Sequence, residues 1–218
     1  MNINLLRTNT NMNKIERIIN LGRFSGQLKD IVRKGWLKYP IDFPESNADH
    51  SFRVAFLSMI LAEELGLNID KCAKLSILHE FGEIKGGDLT PEERINEEKI
   101  IDEQGEILKQ MMIEMGGEKY YEIWNEAEKI TSKEAILVKD VDRLEMCLQA
   151  LEYEEKYGYD LQEFYDYTEK LLILDLPKRI FKRILELRPK NLEKIKAKDL
   201  PNGKIIFTKI DIINLDHK

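Results

Sequence analysis

The sequence predicts an all-α protein, and two observations carry the prediction. Apolar residues recur at helical spacing in nearly every long segment of the 218-residue chain. Most glycines and prolines fall between these segments, where they would end helices, and few fall inside them. Hydrophobic residues make up 43% of the chain, which argues against disorder and is enough for a substantial core at this length.

The first clear helix is predicted over residues 46–65. Its apolar positions form one wide stripe that would face a core, namely Val54, Ala55, Leu57, Ile60, Leu61 and Leu65. Gly66 follows as the expected C-cap, because glycine readily takes the left-handed conformation that ends many helices. His50 is therefore expected in the first or second turn of a buried helix.

A second helix is predicted to start near Asp70, with His79 and Glu80 close to its C-terminal end. The sequence Gly-Gly-Asp at 86–88 then breaks the helix, which places Asp88 in a loop near the histidine.

Two long helices are predicted next. One covers about 91–115 and starts with a Thr-Pro-Glu-Glu sequence, which supplies a threonine N-cap and a proline at the first helical position. The other starts at Thr131 with a Thr-x-x-Glu capping box and runs to about Tyr157. Asp140 and Asp142 would lie inside this last helix.

The chain changes character after Tyr157. Shorter helices are predicted there, separated by Pro177 and Pro189. Residues 203–215 are rich in β-branched residues and follow a Pro-Asn-Gly turn signal, which predicts a short β hairpin.

Composition excludes several function classes. With 34 Lys+Arg against 40 Asp+Glu the formal charge is -6, so the chain has no general attraction for nucleic acid or anionic membrane. No segment approaches the ~20 apolar residues that a membrane span needs. Cys72 and Cys147 lie in apolar helical patterns and are expected to be buried thiols and not a disulfide scaffold. We expect a cytoplasmic protein without nucleic-acid or membrane partners.

The three histidines are the most informative residues. His50 and His79 both lie beside carboxylates, whereas His217 lies at the end of the chain. Far downstream, the sequence Lys-Asp-Val-Asp supplies Asp140 and Asp142. Two imidazoles and two carboxylates supplied by separate segments are typical of a divalent-metal site.

The spacing around His79 suggests how such a site would work. Residues four apart share a helix face, so His79 and Glu83 would point the same way, with Glu80 turned about 100° from them. A neighbouring His-carboxylate pair at a helix end can still chelate one ion, because the chain there is free to turn. Four protein ligands would leave two positions of an octahedral ion for water and a substrate oxygen, and Glu83 could then act as general acid or base. This pattern favours metal-assisted hydrolysis.

Other interpretations of these residues are possible. The H-E-x-x-H helix of zinc proteases needs a second imidazole where this chain has Glu83, so that motif is absent. A lone His50 on an apolar helix would more often be a core histidine, and an aspartate such as Asp142 would usually face solvent. Only their combination favours a metal site.

Five separated segments agree in order and spacing with one known family. They are Gly26–Lys29, Arg33–Trp36, Pro44–Ala55, Leu78–Glu83 with Gly87–Pro91, and Val141–Met146 with Gln149 and Ala150. The sequence resembles the HD-domain metal-dependent phosphohydrolase superfamily, and more narrowly the HD-domain 5'-deoxynucleotidase family, over about residues 15–155. The resemblance implies an all-α HD-domain helical bundle, which we assign to residues 1–170, with 171–218 as a C-terminal extension.

The resemblance also implies the activity and the metal ligands. The expected reaction releases phosphate from nucleoside 5'-monophosphates, with deoxynucleotides favoured. By position, His50, His79, Glu80 and Asp142 would hold the divalent ion, which would be Mn, Co or Mg, with Zn as a further possibility. Asp140 is less favoured as a metal ligand, because the aspartate of the family motif aligns with Asp142.

Three further roles follow from the resemblance. Glu83 would orient or activate the attacking water, Asp88 would help to position the sugar or the leaving oxygen, and Arg33 would contact the phosphate. Arg33 could equally be a surface charge. Family members commonly form homodimers, so a homodimer is expected here.

One position departs from the family pattern: the family has Asp where this chain has Glu80. The extra methylene would move the carboxylate by more than ~1 Å unless the backbone adjusts, and metal sites are sensitive to such displacement. This departure keeps a second hypothesis open, in which the chain is a noncatalytic nucleotide-binding or interaction protein with an HD fold altered at Glu80. A phosphodiesterase or nucleoside-triphosphate hydrolase of the same superfamily is a third.

Overall fold

The computed structural model describes residues 12–87 and 97–194. Within them the chain forms α-helices and short 3₁₀ turns with no β-sheet, which confirms the all-α prediction. The α-helices are α1 Lys14–Gly26, α2 Asn47–Leu65, α3 Ile69–Leu78, α4 Glu83–Gly86, α5 Glu97–Glu114, α6 Glu118–Lys129, α7 Lys133–Tyr157, α8 Gln162–Glu169 and α9 Asp175–Leu187.

The core lies between α2, α3 and α7. Helix α2 packs against both α3 and α7, and α9 also packs against α7. Side chains buried in this core include Val54, Leu61, Leu75, Leu137, Val141, Leu144, Phe181 and Ile184. A smaller cluster around Trp124 and Met112 joins α1, α5 and α6 to the end of α3. The site described below lies where α2, α3 and α7 meet.

Helix α2 starts and ends as predicted. Ser46 is the N-cap, and its side chain and that of Asp49 form a reciprocal capping box. Gly66 ends the helix in the left-handed conformation at φ 64°. His50 therefore lies in the first turn, fully buried.

Helix α3 starts one residue before Asp70 and ends at Leu78. Asn68 is its N-cap and accepts a hydrogen bond from the backbone N–H of Lys71. Residues His79–Gly82 continue as a 3₁₀ turn before α4. The predicted position of His79 near the end of this helix is correct, and the chain does change its winding there.

The predicted start of α7 at Thr131 is wrong by one residue. Ser132 is the N-cap, because its hydroxyl accepts from the N–H of Ala135 and donates to Glu126. The predicted end is correct, since Gly158 follows Tyr157 in the left-handed conformation at φ 76°.

Some predictions fall on parts of the chain outside the described residues, namely the start of the helix at 91–96, Asp88 and the hairpin at 203–215. Cys72 and Cys147 are buried free thiols, as predicted. None of the helices in the described part of the chain combines the length and apolar composition needed to cross a membrane. The domain boundary at residue 170 remains a prediction.

Candidate metal centre

Four side chains converge from three segments. His50 comes from α2, His79 and Glu80 come from the 3₁₀ turn after α3, and Asp142 comes from α7. One ligand atom from each lies within 4.8 Å of those of the other three. The fold therefore brings together the four residues that the sequence analysis proposed as metal ligands. We refer to them as the candidate metal centre.

Distances within the candidate metal centre fit a single ion. The His50 Nε2 lies 3.3 Å from the His79 Nε2 and 3.1 Å from Asp142 Oδ1. Oε1 of Glu80 lies 3.3 Å from the His79 Nε2 and 3.6 Å from the His50 Nε2. Ligand atoms about 2.1 Å from one ion are about 3.0 Å apart at a right angle and about 3.4 Å apart in a tetrahedron. Three of these separations lie in this range. The Glu80–His50 pair at 3.6 Å and the pair of His79 Nε2 and Asp142 Oδ1 at 4.0 Å are wider, but both are below the about 4.2 Å between ligands on opposite sides of such an ion.

Both imidazole rings are held with Nε2 towards the centre. The His79 Nδ1 lies 2.6 Å from the carbonyl oxygen of Ser76, and the His50 Nδ1 is hydrogen-bonded to Glu145. Each Nδ1–H thus donates outwards, which leaves the Nε2 lone pair for an ion. This outward donation is the usual way in which a protein fixes the tautomer of a metal-binding histidine.

The electrostatics of the centre favour bound positive charge. Burial and Arg33 lower the pKa of His50, but Glu145 and Asp142 outweigh them and raise it to about 10. Burial alone would raise the pKa of the Asp142 carboxyl, but Lys139 and the two histidines hold it well below its usual range. The pKa of Glu80 is lowered against burial by His79, Arg33 and His50. The carboxylates therefore stay ionised next to the rings.

The longer side chain of Glu80 is accommodated within the centre. Arg33 Nη1 donates to its Oε1 at 3.0 Å, and Asn47 Nδ2 donates to its Oε2 at 3.1 Å. The 3₁₀ winding at His79–Gly82 turns Glu80 to the same side as His79. The extra methylene has not removed the carboxylate from the centre.

Of the other residues that the sequence analysis proposed, the structure describes Glu83, Arg33 and Asp140. Glu83 is buried in the first turn of α4, directly after the 3₁₀ turn. The Arg33 side chain is 13% exposed and contacts Glu80. Asp88 lies outside the described residues. Asp140 points away from the centre, since its carboxylate accepts the backbone N–H groups of residues 173 and 174.

Sequence reasoning missed four polar residues around the centre. Glu145 contacts His50, Asn47 contacts Glu80, Lys139 Nζ lies 3.2 Å from Asp142 Oδ2, and Arg53 contacts Glu145. Helical spacing held a usable signal. Residues three apart share a helix face, so Asn47 and Arg53 each fall in register with His50, and Lys139 and Glu145 each fall in register with Asp142.

Comparison with known proteins establishes the class. The model of the HD domain family matches residues 25–178, and the chain belongs to this family. It is accordingly a hydrolase of the HD-domain metal-dependent phosphohydrolase class, and the resemblance noted in the sequence is confirmed.

Individual relatives indicate a narrower group within this family. The 5'-deoxynucleotidase HDDC2 of Homo sapiens is 39% identical over 152 residues, which cover 67% of this chain and 74% of the relative. The 5'-deoxynucleotidase hdd1 of Schizosaccharomyces pombe is 32% identical over 183 residues, which cover 80% of this chain and 91% of the relative. The chain thus falls beside 5'-deoxynucleotidases within the family.

Solved structures agree with the fold. A conserved hypothetical protein from Pyrococcus furiosus is 36% identical with a TM-score of 0.64, covering 78% of this chain and 98% of that one. A protein from Pyrococcus horikoshii OT3 is 30% identical with a TM-score of 0.66, covering 80% and 99%.

Proposed function

We propose that this protein is a divalent-metal-dependent 5'-nucleotidase that releases phosphate from deoxynucleoside 5'-monophosphates. The proposal depends mainly on one observation: two imidazoles and two ionised carboxylates lie close enough together to bind one ion. Both imidazoles are hydrogen-bonded through Nδ1 to groups outside the centre. The names of the similar relatives supply the substrate class.

His50, His79, Glu80 and Asp142 would hold the ion as its four protein ligands. When bound, a divalent ion lowers the pKa of water and stabilises negative charge on a phosphoryl group. Imidazole and carboxylate ligands suit Mn, Co, Mg and Zn, so the proposal includes all four and leaves their order to experiment.

Arg33 and Lys139 flank the candidate metal centre on two sides. Arg33 contacts Glu80, and Lys139 contacts Asp142. A phosphate group at the centre would therefore have one cation nearby at Glu80 and another at Asp142. The planar guanidinium of Arg33 can donate two parallel hydrogen bonds to phosphate, and we assign it the phosphate contact.

Glu83 is assigned the proton transfer. Its carboxylate is buried and follows the ligands His79 and Glu80 by only a few residues, at the start of α4. A carboxylate so placed can take a proton from the attacking water and deliver it to the leaving sugar oxygen. Asp88, five residues further along the chain, is assigned to position the sugar or the leaving oxygen, on the basis of the family resemblance.

Phosphate release from a panel of nucleotides tests the proposal. Mono-, di- and triphosphates of ribose and deoxyribose nucleosides would be incubated with the chelator-stripped protein and with Mn, Co, Mg or Zn. We expect metal-dependent release from 5'-monophosphates, faster for the deoxy series. Absence of metal-dependent release from every nucleotide would refute the enzymatic function.

Two variants make the same experiment specific to the site. Asp142→Ala should lose release, because it removes a ligand from the candidate metal centre. Glu80→Asp restores the residue that the family pattern carries and should keep release while changing the order of preferred metals, since the carboxylate is shorter. Full activity of Asp142→Ala would refute the ligand assignment.

A homodimer is proposed as the assembly. Along one face of α2, Phe52, Phe56, Met59 and Ile60 are exposed to between 42% and 76%. Monomeric proteins rarely expose a contiguous apolar patch of this kind. Light scattering should give twice the chain mass for the wild type and the monomer mass for Phe52→Ser/Phe56→Ser. The same change at Ile113, an exposed apolar residue of α5, should leave the dimer intact.

A cytoplasmic location is proposed as well. The chain keeps Cys72 and Cys147 as buried free thiols, which suits a reducing compartment. Fractionation of cells that express the full chain would test this proposal, and recovery in a membrane or secreted fraction would contradict it.

A further inference from the structure

A continuous polar contact joins α2 to α7 behind the candidate metal centre. On α2, His50 and Arg53 are three residues apart and point towards α7. Their partners on α7 are Glu145, Gln149 and Glu152, which recur at the spacing of one helix face. The contact begins at the centre and ends at the protein surface, where the Glu152 side chain is 54% exposed.

Glu145 occupies the key position in this contact. Its side chain is fully buried, and its two oxygens have different partners. Oε2 accepts from the His50 Nδ1, and Oε1 accepts from Arg53 Nε at 2.8 Å. The carboxylate is therefore fixed from one side by a guanidinium and fixes the imidazole on the other.

Arg53 is itself immobilised. Its Nη1 donates to both oxygens of Glu152 at 2.7 and 2.8 Å, and its Nη2 donates to Gln149. Three side chains of α7 thus hold one guanidinium of α2. The orientation of Glu145, and through it of His50, is determined by the packing of two helices and not by a flexible loop.

We infer that Glu145 is a positioning residue for the metal site: it keeps the His50 Nδ1 protonated and directs Nε2 at the ion, and Arg53 holds Glu145 in place. The inference rests on the proposed metal site. Carboxylates behind metal-binding histidines fix the ring orientation and increase the basicity of the ligating nitrogen, and their loss costs about 10- to 100-fold in metal affinity. The expected consequence is that Glu145 contributes to metal affinity without touching the metal or the substrate.

Glu154 on the same helix is a matched control. It is also buried and paired with an arginine, here Arg188, but its other partners are the Leu161 N–H and the Tyr165 hydroxyl. It lies nine residues, or about 13 Å, further along α7 than Glu145. Variants at Glu154 therefore lose a buried ion pair but leave the hydrogen bonds of the histidines unchanged.

The experiment measures Mn²⁺ affinity of the full chain after removal of metal with a chelator. Isothermal titration would compare wild type with Glu145→Leu, Glu145→Gln and Glu154→Gln, and thermal unfolding of the stripped proteins would monitor stability. We expect the Kd for Mn²⁺ to rise about 10- to 100-fold in Glu145→Leu and by less in Glu145→Gln, whose amide oxygen can still accept the His50 proton. Glu154→Gln should lower the melting temperature with an unchanged Kd.

The possible failures are distinguishable. Wild-type affinity in both Glu145 variants would overturn the inference and leave the proposed function intact. No Mn²⁺ binding by the wild type would overturn the proposed metal site and this inference with it. If Glu145→Leu does not fold, the isosteric Glu145→Gln decides, because a purely structural role would lower its melting temperature without raising its Kd.

A spectroscopic measurement tests the tautomer directly. The chain has only three histidines, so the ring nitrogens of the ¹⁵N-labelled, Zn²⁺-loaded protein give a simple spectrum. We expect a slowly exchanging proton on the His50 Nδ1 in the wild type and fast exchange of that proton in Glu145→Leu. Ligation of Zn²⁺ through Nδ1 of His50 would overturn the inference.

Discussion

The two halves of α7 both bury carboxylates but use them differently. In the second half, Glu154 accepts hydrogen bonds from the backbone of Leu161, the Tyr165 hydroxyl and the guanidinium of Arg188. Every contact ties α7 to the segment that follows it. This carboxylate is saturated by donors, and a saturated buried carboxylate holds structure together.

In the first half of α7, Asp142 meets the imidazoles of His50 and His79 and the carboxylate of Glu80. The ligand atoms of these four side chains lie within 4.8 Å of one another, and the cations Arg33 and Lys139 pair with Glu80 and Asp142. Such an arrangement is stable only with positive charge at its centre, supplied by a proton or a metal ion. Asp140, two residues earlier, is saturated like Glu154. Saturation by donors from outside the centre thus distinguishes Asp140 and Glu154 from Asp142 within one helix.

The two aspartates of α7 give the largest expected difference. Asp142→Ala should reduce phosphate release to that of the metal-free protein, with little loss of stability. Asp140→Ala should retain metal-dependent release but lose roughly 1–3 kcal/mol of unfolding free energy, because a buried carboxylate that accepts two part-buried backbone N–H groups is removed. Steady-state phosphate assays and denaturant unfolding of both variants measure this. Loss of activity without loss of stability in Asp140→Ala would contradict the structural role assigned to Asp140.

The next largest effect is expected at Glu83. Glu83→Gln keeps the shape of the side chain but removes its ability to transfer a proton, so kcat should fall about 10²- to 10⁴-fold. KM and the Kd for Mn²⁺ should stay close to wild type, because Glu83 is not proposed as a ligand. Glu155→Gln, at an exposed position of α7, is the control. An unchanged kcat would remove Glu83 from the mechanism.

A smaller effect is expected at Arg33. Arg33→Lys keeps the positive charge but loses the planar pair of donors, so KM for a deoxynucleoside monophosphate should rise about tenfold. Because Arg33 also contacts Glu80, the Kd for Mn²⁺ must be measured in parallel, and it should change less than KM. Arg183→Lys, at an exposed position of α9, should change neither. A rise in Kd that accounts for the whole change in KM would contradict a phosphate contact.

The smallest effect concerns Glu45, a buried acid next to the centre. Burial and the neighbouring Glu145 raise its pKa to about 7, from an ordinary value of 4.5. Between those pH values the unfolded chain ionises Glu45 while the folded chain keeps the proton, so this group makes the folded state less stable as pH rises, with no further change above about 7.

Glu45→Gln has no such proton and can still accept from the Trp36 indole, as Glu45 does at 2.9 Å. In the metal-stripped proteins, its melting temperature relative to wild type should therefore improve as pH rises from 5 to 7 and then level off. Thermal unfolding across this range measures the difference. A difference that stays constant or narrows would contradict the pKa of Glu45.

Local signals predicted the helices well where one residue decided the outcome. The cap at Ser46 and the stop at Gly66 depend on neighbouring backbone groups, so α2 could be delimited from sequence. At the start of α7 two adjacent hydroxyl residues compete, and the contact between Ser132 and Glu126 of the preceding helix selects the second. That contact is tertiary, which is why the sequence placed the cap at Thr131.

The sequence by itself determined the all-α class and identified two histidines as candidate site residues. Through the motifs shared with the family, it also favoured Asp142 over Asp140 as the metal ligand. These depend on composition, on local helix geometry and on the order of motifs along the chain. Only the tertiary structure decided that Glu80 still reaches His79 and that Glu145 lies behind His50, because both depend on how α2, α3 and α7 pack. Helix periodicity fixes the face on which a side chain lies, but the partner it meets there is set by packing between residues far apart in the chain.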